Sequence, residues 1–176
     1  MKTKDLTLSA LLAALICVFA PLSIPVGPVP ISLATFAIYI ASSAFRMRHG
    51  LVATVVYIIA GCFGLPVFSS FTGGFQMLFG VTGGYIWGYV PLSAGIGMIL
   101  KTGKNRFLAY PGAMVFGTLL LYVCGTAWFM FVSGSGFFAA AAVCVVPFLP
   151  GDAVKIAVAS LISFKLSARF PAAQVN

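Results

Sequence analysis

The chain is 176 residues long, with 61% of positions hydrophobic and 7% charged, against about 25% charged residues in an ordinary soluble domain. That composition excludes a soluble enzyme and predicts an all-α, polytopic membrane protein. Lys and Arg number 10 against 2 Asp and Glu, a formal charge of +8. The basic residues are nevertheless scattered between apolar stretches and form no aromatic-flanked basic face, which excludes nucleic acid as a partner.

A spanning helix takes about 20 residues, so the chain accommodates about six spans and no separate extramembrane unit; residues 1–176 are read as one domain. The basic residues cluster at Lys2 and Lys4, at Arg46 and Arg48, at Lys101, Lys104 and Arg106, and at Lys165 and Arg169, with Lys155 apart. Two apolar crossings fit between successive clusters, and the turn between the two crossings is uncharged. Short loops rich in Lys and Arg stay cytoplasmic, so both termini are expected inside and the uncharged connections outside.

The first helix is expected over about residues 6–19. Lys2 and Lys4 before an apolar stretch ending in Val18-Phe19-Ala20 imitate a cleavable leader. Pro21 is a poor residue to follow a cut, and loss of this helix would leave an odd number of spans, so it is read as retained. A connection rich in Pro and Gly (Pro21, Pro25, Gly27, Pro28, Pro30) leads to a second helix over residues 31–45. The third and fourth helices are expected over residues 50–62 and 84–100, joined by an outward segment, 63–83, too long for a turn. The fifth spans residues 111–131. After an outward stretch from Ser133 to Gly136, the last helix covers residues 150–168.

Several chemistries are excluded. Cys17, Cys62, Cys124 and Cys144 lie in or near apolar spans with no paired Cys or His to complete a zinc site, so no metal is expected. His49 falls in a cytoplasmic turn beside Arg46 and Arg48, where it cannot act as base for an embedded nucleophile. An aspartyl protease needs two carboxylates that share a proton, and Asp5 sits at the cytoplasmic start, far from Asp152. The run from Gly97 to Gly103-Lys104-Asn105 has the wrong spacing for a phosphate-binding loop and ends in Asn where Ser or Thr is needed. No cofactor is expected, and ATP-driven transport would require a partner to hydrolyse the nucleotide.

One constellation remains. In Pro147-Phe148-Leu149-Pro150-Gly151-Asp152-Ala153-Val154-Lys155, an acid and a base stand three apart near the start of the last helix and share a face. Counted from Pro147, Asp152 lies about 7 Å and Lys155 about 12 Å below the outer surface. Each charge costs about 2.5 to 3.5 kcal/mol at a helix centre, so something polar must meet them. One explanation is structural: Pro150 opens the helix, Asp152 answers its first-turn N–H groups, and Lys155 pairs with Asp152 or reaches for water. The other is that both line a cavity and offer an acceptor and a cationic donor to a polar solute.

The surrounding residues suit a small ligand with an apolar body and polar ends. Phe68, Phe71, Phe75, Tyr85, Trp87 and Phe148 can supply flat walls, while Gly73, Gly74, Gly83 and Gly84 allow close backbone approach. Each aromatic taken alone fits packing or the membrane interface better than a ligand wall. Gly80, Gly84 and Gly88 also form a small-residue row suited to helix packing.

Four segments carry a family resemblance: Val29-Pro30-Ile31-Ser32-Leu33-Ala34-Thr35; Gly64-Leu65-Pro66-Val67-Phe68 with Phe71-Thr72-Gly73-Gly74; Gly80-Val81-Thr82-Gly83-Gly84-Tyr85; and Pro147 to Asp152 with Lys155. In order and spacing, over nearly the whole chain, the sequence resembles the BioY proteins, the biotin-binding S components of energy-coupling factor transporters. The resemblance implies a six-helix subunit of the bacterial cytoplasmic membrane that captures biotin from outside. Its implied partners are a transmembrane coupling subunit and paired cytoplasmic ATPases. The substrate-binding set it implies is Asp152, Lys155, Tyr85, Gly73, Gly74, Gly84, Phe71 and Thr72. Chemically, the Asp152 carboxylate suits the ureido N–H groups, and Lys155 suits the ureido oxygen or the valerate carboxylate. Ala10 and Ala14 match the small-residue surface by which S components dock on the coupling subunit. Ala34 stands where many members have Gln, Val81 where the pattern usually reads Pro, and Ile86 where some members carry Arg. The alternative reading is an S component, or a stand-alone transporter or channel, for another small polar solute.

Overall fold

The computed structural model describes residues 3–25, 29–45, 47–102 and 106–169. Lys2, Gly27, Pro28, Arg46, Gly103, Lys104 and Asn105, singled out above, lie outside the described residues. The described chain folds as α1 (Thr3–Phe19), a hairpin of β1 (Ser23–Ile24) and β2 (Ile31–Ser32), α2 (Ala34–Ser43), α3 (Met47–Cys62), short 3-10 turns over Ser69–Phe71 and Phe75–Leu78, α4 (Gly83–Thr102), α5 (Arg106–Ser133), α6 (Phe137–Cys144) and α7 (Leu149–Arg169).

Helix α2 is the hub, buried on nearly every side. It packs against α1, α3, α4 and α7, and its hydroxyls tie it to three neighbours. Tyr39 Oη lies 2.6 Å from Thr118 Oγ1 on α5, Ser42 Oγ 2.8 Å from Ser93 Oγ on α4, and Ser43 Oγ donates to Ser163 Oγ on α7 at 2.7 Å. Such bonds are the usual glue between helices whose apolar faces gain little from packing in lipid. The most extensive interface is α4 with α5, and glycines make it possible. A Cβ at Gly88 would lie 2.8 Å from Leu121 Cδ1, and one at Gly117 2.9 Å from the Leu92 carbonyl oxygen.

Several elements depart from the sequence expectations. Ile31 and Ser32, expected in the second helix, pair instead with Ile24 and Ser23 as an antiparallel hairpin. Ser32 Oγ accepts the Ala34 N–H at 2.9 Å while donating to the Ala20 carbonyl at 2.8 Å, which starts the helix later. His49 is not in a turn. It lies in the first turn of α3, buried, with Nε2 3.3 Å from Asp5 Oδ1 on α1. Residues 137–149, left unassigned by the sequence, contain α6, which meets α7 at a 48° bend. Pro147 and Pro150 lack the N–H groups a continuous helix would need there; the chain recovers when Asp152 N–H reaches the Phe148 carbonyl at 2.8 Å.

One described helix, Leu108–Ser133, is by itself long and apolar enough to cross a membrane, and the bent pair Phe137–Cys144 with Leu149–Ser167 forms a second such span; Ala34–Ser43 and Met47–Cys62 are shorter apolar helices. Large apolar side chains face outward around the bundle, including Val18 at 67% exposure, Val123 at 67% and Phe131 at 83%. Water penalises such a surface and lipid does not. The charged helix ends share one end of the bundle, where Asp5 meets His49, Gly97 abuts Met47, and Tyr110 packs edge-on against Phe164. The hairpin, the 63–82 connection and the α6–α7 bend form the other end, where the Pro21 carbonyl accepts the Ser70 N–H at 3.1 Å.

Candidate ligand-binding cavity

At the loop end the bundle encloses a cavity of about 360 Å³, within the range of small-molecule sites. Its deepest polar feature is the Asp152–Lys155 pair, 4% and 9% exposed. Both groups project from the first two turns of α7, as their three-residue spacing requires. Lys155 Nζ donates to Asp152 Oδ1 at 3.1 Å, to the Ser32 carbonyl at 2.7 Å and to Thr35 Oγ1 at 3.2 Å. An ammonium has three donors, and here all are used. Asp152 Oδ2 accepts the Tyr122 hydroxyl of α5 at 2.7 Å. The carboxylate also lies in the first turn of α7, where the helix dipole favours negative charge. The pair therefore joins α7 to α2 and α5, and it leaves one lone-pair direction open on each carboxylate oxygen.

Aromatic rings form the walls. Tyr85 stacks on Phe148 with centroids 5.9 Å apart and planes at 19°, and its hydroxyl donates to the Cys144 carbonyl at 2.6 Å. That bond pins the α6–α7 bend to α4. Tyr57 meets Phe68 edge-on at 5.7 Å and Tyr89 at 6.2 Å. The 63–82 connection closes the upper side. It is held down by the Trp128 indole donating to the Gly80 carbonyl at 3.0 Å and the Trp87 indole donating to Leu78 at 3.3 Å. Within it, Ser70 and Phe71 both hold positive φ, 59° and 57°, a conformation that ordinary residues adopt only under constraint.

Of the residues expected from the sequence, Asp152, Lys155, Tyr85 and Thr72 line this cavity together, as do the wall candidates Phe68 and Phe148. Phe71, Gly73, Gly74 and Gly84 do not. Phe71 is 66% exposed. Gly74 takes φ 104° and donates its N–H to the Gly61 carbonyl at 2.7 Å, serving the turn. Gly73 leaves no room for a Cβ beside the Leu65 carbonyl, and Gly84 none beside Trp128, so each permits a close backbone or helix approach. Phe75 and Trp87 are also largely exposed. Ala10 and Ala14 sit on the exposed side of α1.

The sequence did not single out Tyr57, Tyr89 and Tyr122, nor Ser32 and Thr35 as polar contacts, yet all five line the cavity. The signal available was a concentration of tyrosines inside otherwise apolar spans, where a hydroxyl needs a partner or a solute.

The BioY family model matches residues 1–172. The biotin transporter BioY of Thermotoga maritima is 36% identical over 163 residues, covering 93% of this chain and 95% of that protein. The probable biotin transporter BioY of Pyrococcus horikoshii is 37% identical over 170 residues, covering 94% and 98%. A solved structure, the S-component for biotin from an ECF-type ABC transporter, superposes with a TM-score of 0.86 at 29% identity, covering 95% of this chain and 92% of that one. With the fold and nearly the full length shared, the chain belongs to the BioY family.

Proposed function

We propose that the chain is the biotin-binding S component of an energy-coupling factor transporter. It captures the vitamin from outside a bacterial cytoplasmic membrane for uptake driven by ATP hydrolysis in partner subunits. One observation carries this reading: a buried carboxylate and ammonium, 3.1 Å apart, stand at the floor of an aromatic cavity with acceptor capacity to spare. The edge of a cyclic urea alternates N–H, C=O and N–H. Asp152 can accept one N–H on its free lone pair, and the neighbouring ureido oxygen can reach Lys155 by replacing the Thr35 hydroxyl, the longest of the three lysine bonds. The fused rings then lie among Tyr85, Phe148, Tyr57 and Phe68. The names of the family relatives support the same ligand.

The rest of the reading follows from the charge pattern. About six crossings place both termini and the basic end in the cytoplasm, so the cavity opens outward. Ala10 and Ala14, exposed on α1, form the docking face for a transmembrane coupling subunit, with paired ATPases beneath. The chain is a single transmembrane substrate-binding domain and not itself an enzyme. The test is titration calorimetry on the purified chain in detergent, combined with flux measurements in liposomes. One biotin bound per chain, with no flux from the chain alone, is the expected result. Biotin or ion flux without partners would identify a pore or stand-alone transporter instead.

A further inference from the structure

Among the described residues the cavity holds one acid and one base, and these already balance each other. All three donors of Lys155 are engaged within the protein, and a ureido head takes up what either group can release. The described chain segments at the cavity end, residues 20–25, 29–33, 63–82 and 134–151, contain no Lys, Arg or His. Ile86 lines the wall, 6% exposed. The described basic residues other than Lys155 sit on or beside the helix ends at the opposite end of the bundle. From the buried Asp152 the cavity runs outward to a rim where Ser70 and Val81 are exposed and Ser69, Thr72 and Thr82 are half-buried. These rim side chains are neutral. Ser70 Oγ is 3.0 Å from Ser23 Oγ, and Thr72 Oγ1 donates to the Ser69 carbonyl at 2.8 Å.

Biotin ends in a carboxylate when free and in an amide when joined to an amine. A neutral rim of hydroxyls can hydrogen-bond either form, and it offers neither a charge-assisted bond. We propose that this cavity reads the ring head of its ligand and not the charge of its tail, so that amide-linked biotin, including biotin joined to the side-chain amine of lysine, binds as tightly as the free acid. The inference rests on the biotin-binding reading and adds a ligand class to it.

The test is titration calorimetry of the purified chain with three probes: biotin, its primary amide and biotinyl-lysine. A preference for the acid below tenfold is the expected result. A carboxylate held by a cation would lose about tenfold or more on amidation, and a preference of that size overturns the proposal. Val81→Arg adds a charge at the exposed rim; it is expected to create an acid preference of about tenfold by strengthening acid binding alone. An unchanged ratio in that variant would place the tail elsewhere and also count against the proposal. Binding of the acid only overturns this inference and leaves the biotin reading standing, whereas silence from all three probes overturns both.

Discussion

Tyr122 on α5 donates its hydroxyl to Asp152 Oδ2 on α7 at 2.7 Å, while Lys155 holds the other carboxylate oxygen at 3.1 Å. The carboxylate is thus fixed from both sides by groups on two different helices, α5 and α7, and its free lone pairs point in a set direction. Tyr122→Phe removes one of these supports and little volume. A hydrogen bond to a charged group contributes about 1.5 to 3 kcal/mol to stability, so the melting temperature should fall, and biotin affinity should fall with it as the carboxylate loses its set direction. Calorimetry on the variant checks this.

Lys155→Met should affect stability as well as binding. It leaves the Asp152 carboxylate buried without its cation, and breaking a buried pair from one side costs about 3 to 5 kcal/mol. Thermal melting in detergent should show a clear fall. The double variant Asp152→Asn/Lys155→Met removes both charges and should recover much of that stability without recovering biotin binding.

The glycine row separates packing from ligand contact. Gly84→Val forces a side chain against Trp128 at the α4–α5 interface, and overpacking of this kind costs about 1 to 3 kcal/mol. The melting temperature should drop. Gly80→Ala should be tolerated, because a Cβ there meets nothing closer than 3.7 Å, even though Gly80 lines the cavity.

Ala10→Trp and Ala14→Trp enlarge the exposed side of α1, away from the cavity. Biotin binding by the isolated chain should be unchanged, while uptake by cells that also express the coupling subunit and ATPases should be lost. Equal loss of binding and uptake would argue that α1 shapes the cavity instead.

The basic clusters and the apolar stretches between them made most of the helices readable, because each charge must stay near water. Asp152 and Lys155 were legible for the same reason in reverse: two charges inside an apolar span need partners. What pairs with them was not legible. Tyr122 stands between Thr118 and Thr126 in a row of hydroxyls four residues apart along α5, all three buried, but that spacing does not say which neighbouring helix the row faces. Gly84 and Phe71 show the opposite difficulty. A turn or small-residue pattern does not by itself distinguish a backbone that touches a ligand from one that touches Trp128 or turns a loop. The α6–α7 bend was also hidden, since its prolines mark a break without giving the angle.

The central claim is that the Asp152–Lys155 pair grips biotin. The most direct measurement is biotin titration calorimetry on the wild-type chain beside the Asp152→Asn/Lys155→Met double variant, both shown by melting to be folded. The account predicts saturable binding of one biotin per wild-type chain and no measurable heat from the variant. Equal affinity in the two proteins would contradict it.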